Sequence, residues 1–325
     1  MGTRRLRDLS ARNDVELAVY DSRPDRLDAA KLRFNIPSFN DFEEAMAWKP
    51  QALCISTPPD QHDKYIELAL RMGLHHFCEA NIWTMSPEKI EQAQKGQSII
   101  CAPSNSLYFL PTVKELRRIV REELGSLHSY QLALNTYCHD WHPGEGPEFY
   151  ARKRNTSAGR EMVPFEMLYL LKVFGKPVEV DGRVSRLSGI SAGFEDTWSI
   201  QIKLESGAIG QFTVMHGCPG AFRRGCCFGD HGQVAFDLFA GVIERSFRGR
   251  VDDVRNFGAM KDVLESAYAE EINTFVDAIL GRARWPQSYG ESAIATATLA
   301  AAEASALKRC PVKVDAAIQP QQLQD

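Results

Sequence analysis

The first hundred residues alternate short apolar runs with longer amphipathic ones, and no other feature of the chain constrains its fold as strongly. TRRLRDLSAR (3–12) has helical spacing, and VELAVYD is a compact apolar strand ending at Asp21. RPDRLDAAKLRF follows as a helix with Pro24 suited to its first turn, and FNDFEEAMAW as another. ALCIST reads as a buried strand, HDKYIELALRM as a helix stopped by Gly73, and HHFCEA as a strand. SPEKIEQAQK is a helix with Ser86 as N-cap and Pro87 at N1, and QSIICAP a further strand. Repeated βαβα order implies a mostly parallel, doubly wound sheet.

The pattern changes near residue 104. LPTVKELRRIVREEL is an amphipathic helix and HSYQLALNTY a long strand; a loop rich in Gly, Pro and charge leads to the helix MVPFEMLYLLKVFG, closed by Gly175. Long strands without intervening helices follow, from VEVDGRVSRL to VIERSFR, with turn signals such as ESG and DHG between them. Two helices, ESAYAEEINTFVDAILG and GESAIATATLAAAEASALKR, come last. This half predicts one large open, mainly antiparallel sheet with helices on one face. A chain of 325 residues is too long for one comfortable core, so two domains are expected, 1–104 and 105–325.

Composition narrows the function classes. Net charge is −4 and the pI near 6.1, so no basic excess points to nucleic acid or an anionic membrane surface. No apolar run approaches the roughly 20 residues of a membrane span. The basic opening MGTRRLRDLSARND lacks the apolar core of a secretory signal, and Leu6 stands where a myristoylation pattern needs Ser or Thr. The eight cysteines form no C-x-x-C and no zinc spacing. Several lie in apolar strand-like runs and read as small reduced core residues of a cytoplasmic protein. Cys226 and Cys227, adjacent in one strand, should face opposite sides.

Two stretches carry chemistry. Asp21 ends the second strand of a dinucleotide-type fold, where a carboxylate accepts hydrogen bonds from ribose hydroxyls and favours NAD over NADP. A turn aspartate after a strand is the plainer reading, and nearby Arg23 is able to accept a 2′-phosphate. STPPDQH (Ser56 to His62) places Thr57, Pro58 and Pro59 after a buried strand and just before a helix. The double proline makes a rigid turn at the C-terminal edge of a parallel sheet, where cofactors bind. Taken alone, His62 reads as a helix-start residue.

The run ALCISTPPDQHDKYIELALRMGLHHFCEA resembles the strand, TPP-x-x-H, helix and Cys-Glu-ending strand of the glucose–fructose oxidoreductase and inositol dehydrogenase (Gfo/Idh/MocA) family. ELGSLHSYQLAL, DWHP, FEDTWSIQIKLESGAIGQFTV and EEINTFVDAILG extend the resemblance across nearly the whole chain. It implies a Rossmann-type sheet followed by an α/β domain with an open sheet, NAD(P) at the C-terminal edge of the first sheet, and a sugar or polyol substrate between the domains. Carried over by position, Gly2 matches the last glycine of the phosphate loop and Asp21 the ribose ligand. Thr57, Pro58 and His62 match the loop beside the cofactor. Glu79 matches the Glu of the family's Glu-Lys-Pro, which contacts the nicotinamide end.

The departures matter equally. This chain has Glu79-Ala80-Asn81 where the family has Glu-Lys-Pro, so the Lys that polarises the reacting hydroxyl is absent, and Asn81 supplies only a hydrogen bond. Met162 and Phe165 occupy the positions where the family often carries Asp and His. A site without a base loses something like 10²–10⁴ in rate. Glu161 is the candidate base and Arg160 the candidate clamp for a substrate carboxylate or phosphate; a solvated first turn of a helix is the plainer reading of both. His142, in the loop before that helix, is the third catalytic candidate.

The expected function is an NAD-dependent oxidoreductase acting on a sugar, sugar acid or related polyol, in a homo-oligomer (dimer or tetramer) packed through the open sheet. The rival is a non-catalytic NAD- or sugar-binding regulatory protein. A dinucleotide fold normally opens with a strand running into G-x-G-x-x-G, whereas this chain opens on Met1-Gly2 and a helix. The expectation is therefore that Met1 is an internal methionine of a longer chain, preceded by roughly ten residues of strand ending in Gly-x-Gly. Without that strand, two central strands keep unpaired backbone groups and NAD binds poorly.

Overall fold

A computed structural model describes residues 1–80, 87–95, 98–137, 140, 154–188, 194–247 and 250–316. Its C-terminal half is built on a nine-stranded sheet. The strands are β6 (Leu127–Asn135), β7 (Pro177–Ser185), β8 (Thr197–Leu204), β9 (Ile209–Met215), β10 (Phe222–Gly229), β11 (Gly232–Asp237), β12 (Val242–Phe247), β13 (Arg250–Asn256) and the short β14 (Val312–Lys313). Their order is β13-β12-β11-β10-β6-β9-β8-β7-β14. Every neighbouring pair is antiparallel except β6 and β9, which run parallel with Leu132 opposite Phe212 and Leu134 opposite Val214.

Period-two patterning decides which face is buried. Along β8, Trp198, Ile200, Ile202 and Leu204 are buried while Ser199, Gln201 and Lys203 are exposed. The buried face carries α7 (Ala158–Phe174) and α9 (Tyr289–Lys308), with α6 (Pro111–Glu122) packed against α7. Gly159 lets α7 approach the sheet, since a Cβ there would lie 1.9 Å from the Trp198 ring. As expected from the sequence, Cys227 is buried and Cys226 turns to the other face.

The N-terminal half is parallel but divided. One piece is β1 (Val19–Tyr20) with β2 (Ser38–Phe39); the other is β3 (Ala52–Ile55), β4 (His75–Cys78) and β5 (Cys101–Pro103), in the order β3-β4-β5. Among the described residues β1 pairs only with β2, and β3 only with β4, so each keeps one unpaired flank. The strand expected over VELAVYD contracts to two residues. Cys54, expected in the core, is exposed because β3 stands at an edge whose outer side is incompletely covered. Aromatic contacts join the two pieces: Tyr20 to Phe42 at 5.1 Å and Phe42 to Tyr65 at 5.5 Å between ring centres.

The helices of this half are α1 (Gly2–Ser10), α2 (Pro24–Phe34), α3 (Phe42–Ala47), α4 (His62–Met72) and α5 (Pro87–Lys95). Ile55, Ile66, Leu70, Cys78, Ile90 and Cys101 form the core on the side of α4 and α5. The other side is closed by α1 and by a helix from the far end of the chain, α8 (Met260–Ile279), whose Ile272, Phe275 and Val276 pack with Leu9, Phe77 and Ala102. The final helix α9 touches α5 and β5 as well as α7 and β7, so it spans both halves. No helix among the described residues is long and apolar enough to cross a membrane.

Candidate functional site

Ligands of doubly wound sheets sit beyond the C-terminal ends of the strands, and here those ends gather the sequence-predicted residues. Gly2 is the first residue of α1, and a Cβ built on it would lie 3.7 Å from the Ser56 Cβ. The amino end of α1 therefore meets the loop after β3, where its unbonded N–H groups and dipole favour an anion. In that loop the Thr57 hydroxyl oxygen is buried without a hydrogen-bond partner among the described residues. His62 is buried and its Nε2 donates to the Thr57 carbonyl at 2.9 Å, so the ring braces the loop from the first position of α4. Pro58 is exposed at the turn and Pro59 buried beneath it.

Asp21 follows β1, half-buried, and accepts the Arg23 N–H at 2.9 Å. The Arg23 guanidinium is forked onto Asp25 at 3.0 and 2.6 Å. The unpartnered Thr57 hydroxyl, the open end of α1 and the Asp21 carboxylate fit the phosphate and ribose groups of a dinucleotide.

Glu79 ends β4, and its carboxylate is turned into the protein rather than presented to a ligand. Arg5 Nε donates to Oε1 at 2.7 Å and Arg5 Nη2 to Oε2 at 3.1 Å, with the Ser56 hydroxyl 3.5 Å from Oε1. Arg5 is 1% exposed and its guanidinium also reaches Glu271 of α8 at 2.6 Å and lies over the Phe77 ring. Burial works against the Arg5 charge, but Glu79 and Glu271 outweigh it and raise its pKa. Sequence reasoning missed both Arg5 and Glu271: RRLR and AEEI look like solvated charge runs, and nothing local marks one member of each as buried.

Two of the catalytic candidates, Arg160 and Glu161, stand in the first turn of α7. Arg160 is neither a clamp open to substrate nor part of a solvated turn: it is 1% exposed, and its fork is held by Glu303 of α9 at 2.8 and 2.7 Å. Burial pushes the Glu303 carboxyl up, against the opposing pull of Arg160. Glu161 lies in the first turn of α7, half-buried, its N–H donating to the Ser157 carbonyl at 3.0 Å. Met162 and Phe165 pack into the core of the nine-stranded half. Asn81 and His142 lie outside the described residues.

Near the start of α7 is a group that sequence reasoning did not single out. His216, at the end of β9, stands 6.5 Å from the Trp198 ring and shares a 3.0 Å hydrogen bond between its Nδ1 and the Thr136 hydroxyl. Burial lowers its pKa to about 4. Asp196 accepts from the Leu187 and Ser188 N–H groups, both at 2.9 Å; burial raises its carboxyl, but these donors hold it below the usual range. Among the described residues no group of His, Cys, Asp and Glu has the arrangement of a metal site.

The family described as "Oxidoreductase family, NAD-binding Rossmann fold" matches residues 1–97, and the "GFO/IDH/MocA C-terminal domain" matches residues 113–235. No curated protein matches the chain. A levoglucosan dehydrogenase solved with NADH and levoglucosan superposes with a TM-score of 0.82 at 17% identity, covering 97% of this chain and 96% of the other. GenD2 from gentamicin A biosynthesis, solved with NAD, gives 0.80 at 21% identity over 97% and 93%. A protein from Desulfitobacterium hafniense described as an NADPH-dependent oxidoreductase gives 0.78 at 16% identity over 96% and 94%. At these identities the likeness concerns the fold: a Rossmann-type parallel sheet followed by an α/β half with a large, mainly antiparallel sheet.

Proposed function

The chain belongs to the Gfo/Idh/MocA family of oxidoreductases, and from that premise we propose that it oxidises or reduces a CH–OH group of a sugar, sugar acid or related polyol with NAD as partner. The observation that carries the reading is the contact of α1's amino end with the loop after β3, with Asp21 likewise following the C-terminal end of a parallel strand. Residues 1–104 would hold the cofactor, and 105–325 the substrate. The bound nicotinamide would supply hydride acceptance or donation. The chain would supply orientation and the proton path. Arg160, locked to Glu303, fixes the start of α7 and thereby the placement of Glu161, our candidate base. His142 and Asn81, outside the described residues, remain candidates from the sequence, and Glu79 would support the cofactor side.

A panel of sugars and sugar acids with NAD and NADP, read by reduced-cofactor absorbance, tests the activity. In the presence of a confirmed substrate, Glu161→Gln should lower kcat by about 10²–10⁴ with little change in cofactor affinity. An unchanged kcat removes Glu161 from the mechanism. Calorimetric titration should show NAD bound more tightly than NADP, because the Asp21 carboxylate repels a 2′-phosphate and Arg23 is engaged by Asp25. Equal or tighter NADP binding defeats that argument.

The core packing of Met162 and Phe165, where the family often carries Asp and His, favours a second reading, a non-catalytic NAD- or sugar-binding regulator. Cofactor binding with no turnover across the panel would select it. The polar open face of the nine-stranded sheet, with Ser199, Gln201, Lys203 and Gln211 exposed, is the surface proposed for homo-oligomer packing. A cytoplasmic site of action rests on the buried, unbridged thiols of Cys78, Cys101 and Cys227.

A further inference from the structure

The carboxylate of Glu271 belongs to α8, far along the chain from every parallel strand, yet it organises their C-terminal edge. It is 0% exposed. Its Oε1 accepts from the Ser104 hydroxyl at 2.9 Å and the Asn105 N–H at 2.7 Å, in the segment leaving β5. Its Oε2 accepts from the Ser106 hydroxyl at 2.8 Å and from Arg5 Nη2 at 2.6 Å. Arg5 in turn holds both oxygens of Glu79 at the end of β4, and Glu79 meets the Ser56 hydroxyl at the end of β3. Arg5 Nη1 closes the unit on the Tyr268 carbonyl of α8 at 2.9 Å. One hydrogen-bonded network thus touches the loops after β3, β4 and β5 and the first turns of α1, the elements between which a dinucleotide would lie.

We propose that Arg5 and Glu271 are positioning residues for cofactor binding: through Glu79 and Ser104–Ser106, α8 sets the geometry of the cofactor edge. The inference rests on the dinucleotide reading above and assigns it a remote support. The physical reason is specific to this molecule. The parallel sheet is divided and its strands are two to four residues long, so ladder hydrogen bonds alone hold its loops weakly. A buried guanidinium fork shared between two carboxylates fixes direction as well as distance. Lysine in its place keeps the charge but cannot span Glu79 and Glu271 in the same planar geometry.

The test compares Arg5→Lys and Glu271→Gln with Arg223→Lys. Arg223 is also a buried arginine, paired with Glu166 of α7 at 2.7 Å and set against the Met260 sulfur at the start of α8 at 3.3 Å, with no bond to Arg5, Glu79 or Glu271 among the described residues. Fluorescence titration with NADH, at temperatures where circular dichroism shows each variant folded, should give a Kd raised about tenfold to a hundredfold for the first two. Arg223→Lys should lower Tm and leave Kd unchanged. If Arg5→Lys and Glu271→Gln lose Tm but bind NADH as the wild type does, the pair is structural only and the proposal is overturned. If the wild-type protein itself binds no NADH at millimolar concentration, the dinucleotide reading falls, and hydrogen exchange decides the positioning role separately. Faster exchange at residues 56–58, 79–80 and 104–106 in Glu271→Gln, absent in Arg223→Lys, would support it. Unchanged exchange in those segments would refute it.

Discussion

The two sheets differ in where their order comes from. In the nine-stranded sheet β6 is flanked by β10 and β9, and β9 by β6 and β8, so central strands satisfy their backbone groups within the sheet. Its strands run six to nine residues apart from the two-residue β14, and a single apolar core lies under them. The parallel half has strands of two to four residues and, among the described residues, an unpaired flank on each of β1 and β3. It is held by what packs on it: α1 and α8 on one side, α4 and α5 on the other, and an arginine series along α1 and just beyond its end. Arg4 and Arg7 reach Glu265, Arg5 reaches Glu271, and Arg12 reaches Asp277, all on α8. Apolar strand composition yields a long strand only where neighbours supply the ladder, since an unpaired backbone group gains nothing from the extended state over water.

The largest effect that would break this comparison is in the core under the self-sufficient sheet. Trp198 is fully buried against Gly159 of α7. Trp198→Ala should destabilise by about 3–5 kcal/mol in urea denaturation followed by circular dichroism. A loss below about 1 kcal/mol would mean that this core repacks readily, and its contrast with the parallel half would lose its basis.

Acid offers a probe of both halves at once. His76 on β4 and His216 on β9 are buried, and burial lowers each from 6.5 to about 4, outweighing the backbone contacts of Leu74 and Thr136 respectively. A lowered histidine pKa means that the unfolded chain takes up a proton before the folded one. The stability concerned is therefore complete above pH 6.5 and is lost as pH falls through the interval down to about 4. Each ring accounts for roughly 3 kcal/mol of that loss. His76→Phe and His216→Phe should each flatten the decline of Tm with acid. A variant whose decline matches the wild type would show that its histidine is already protonated or solvated in the native state.

The smallest effect concerns the helix shared between the halves. Ser288 caps α9: its hydroxyl accepts the Glu291 N–H at 3.1 Å while Glu291 Oε2 accepts the Ser288 N–H at 2.9 Å. Ser288→Ala should lower stability by about 1 kcal/mol. Because α9 touches β5 and β7 alike, hydrogen exchange should quicken in both sheets. Quickening confined to one sheet would show that α9 does not couple them.

The sequence alone determined the order of elements apart from β2, β13 and β14, the change from parallel to mainly antiparallel sheet near residue 104, and the membership of a dinucleotide-binding family. These follow from periodicity and from local motifs such as STPPDQH, which need no distant partner to be read. Helix ends marked by Pro24, Gly73 and Gly175 stand where local signals put them. Tertiary structure alone decided the fate of the charges. Arg5, Glu271, Arg160 and Glu303 sit in runs that look like solvent-facing helix surface, and each is buried by a partner far along the chain. It also decided that VELAVYD would be a strand for two residues only and that Cys54 would be exposed. The physical reason is common to all of these. Periodicity reports which face of an element is apolar, whereas the pairing of a buried charge or of a strand's backbone depends on which distant segment arrives beside it.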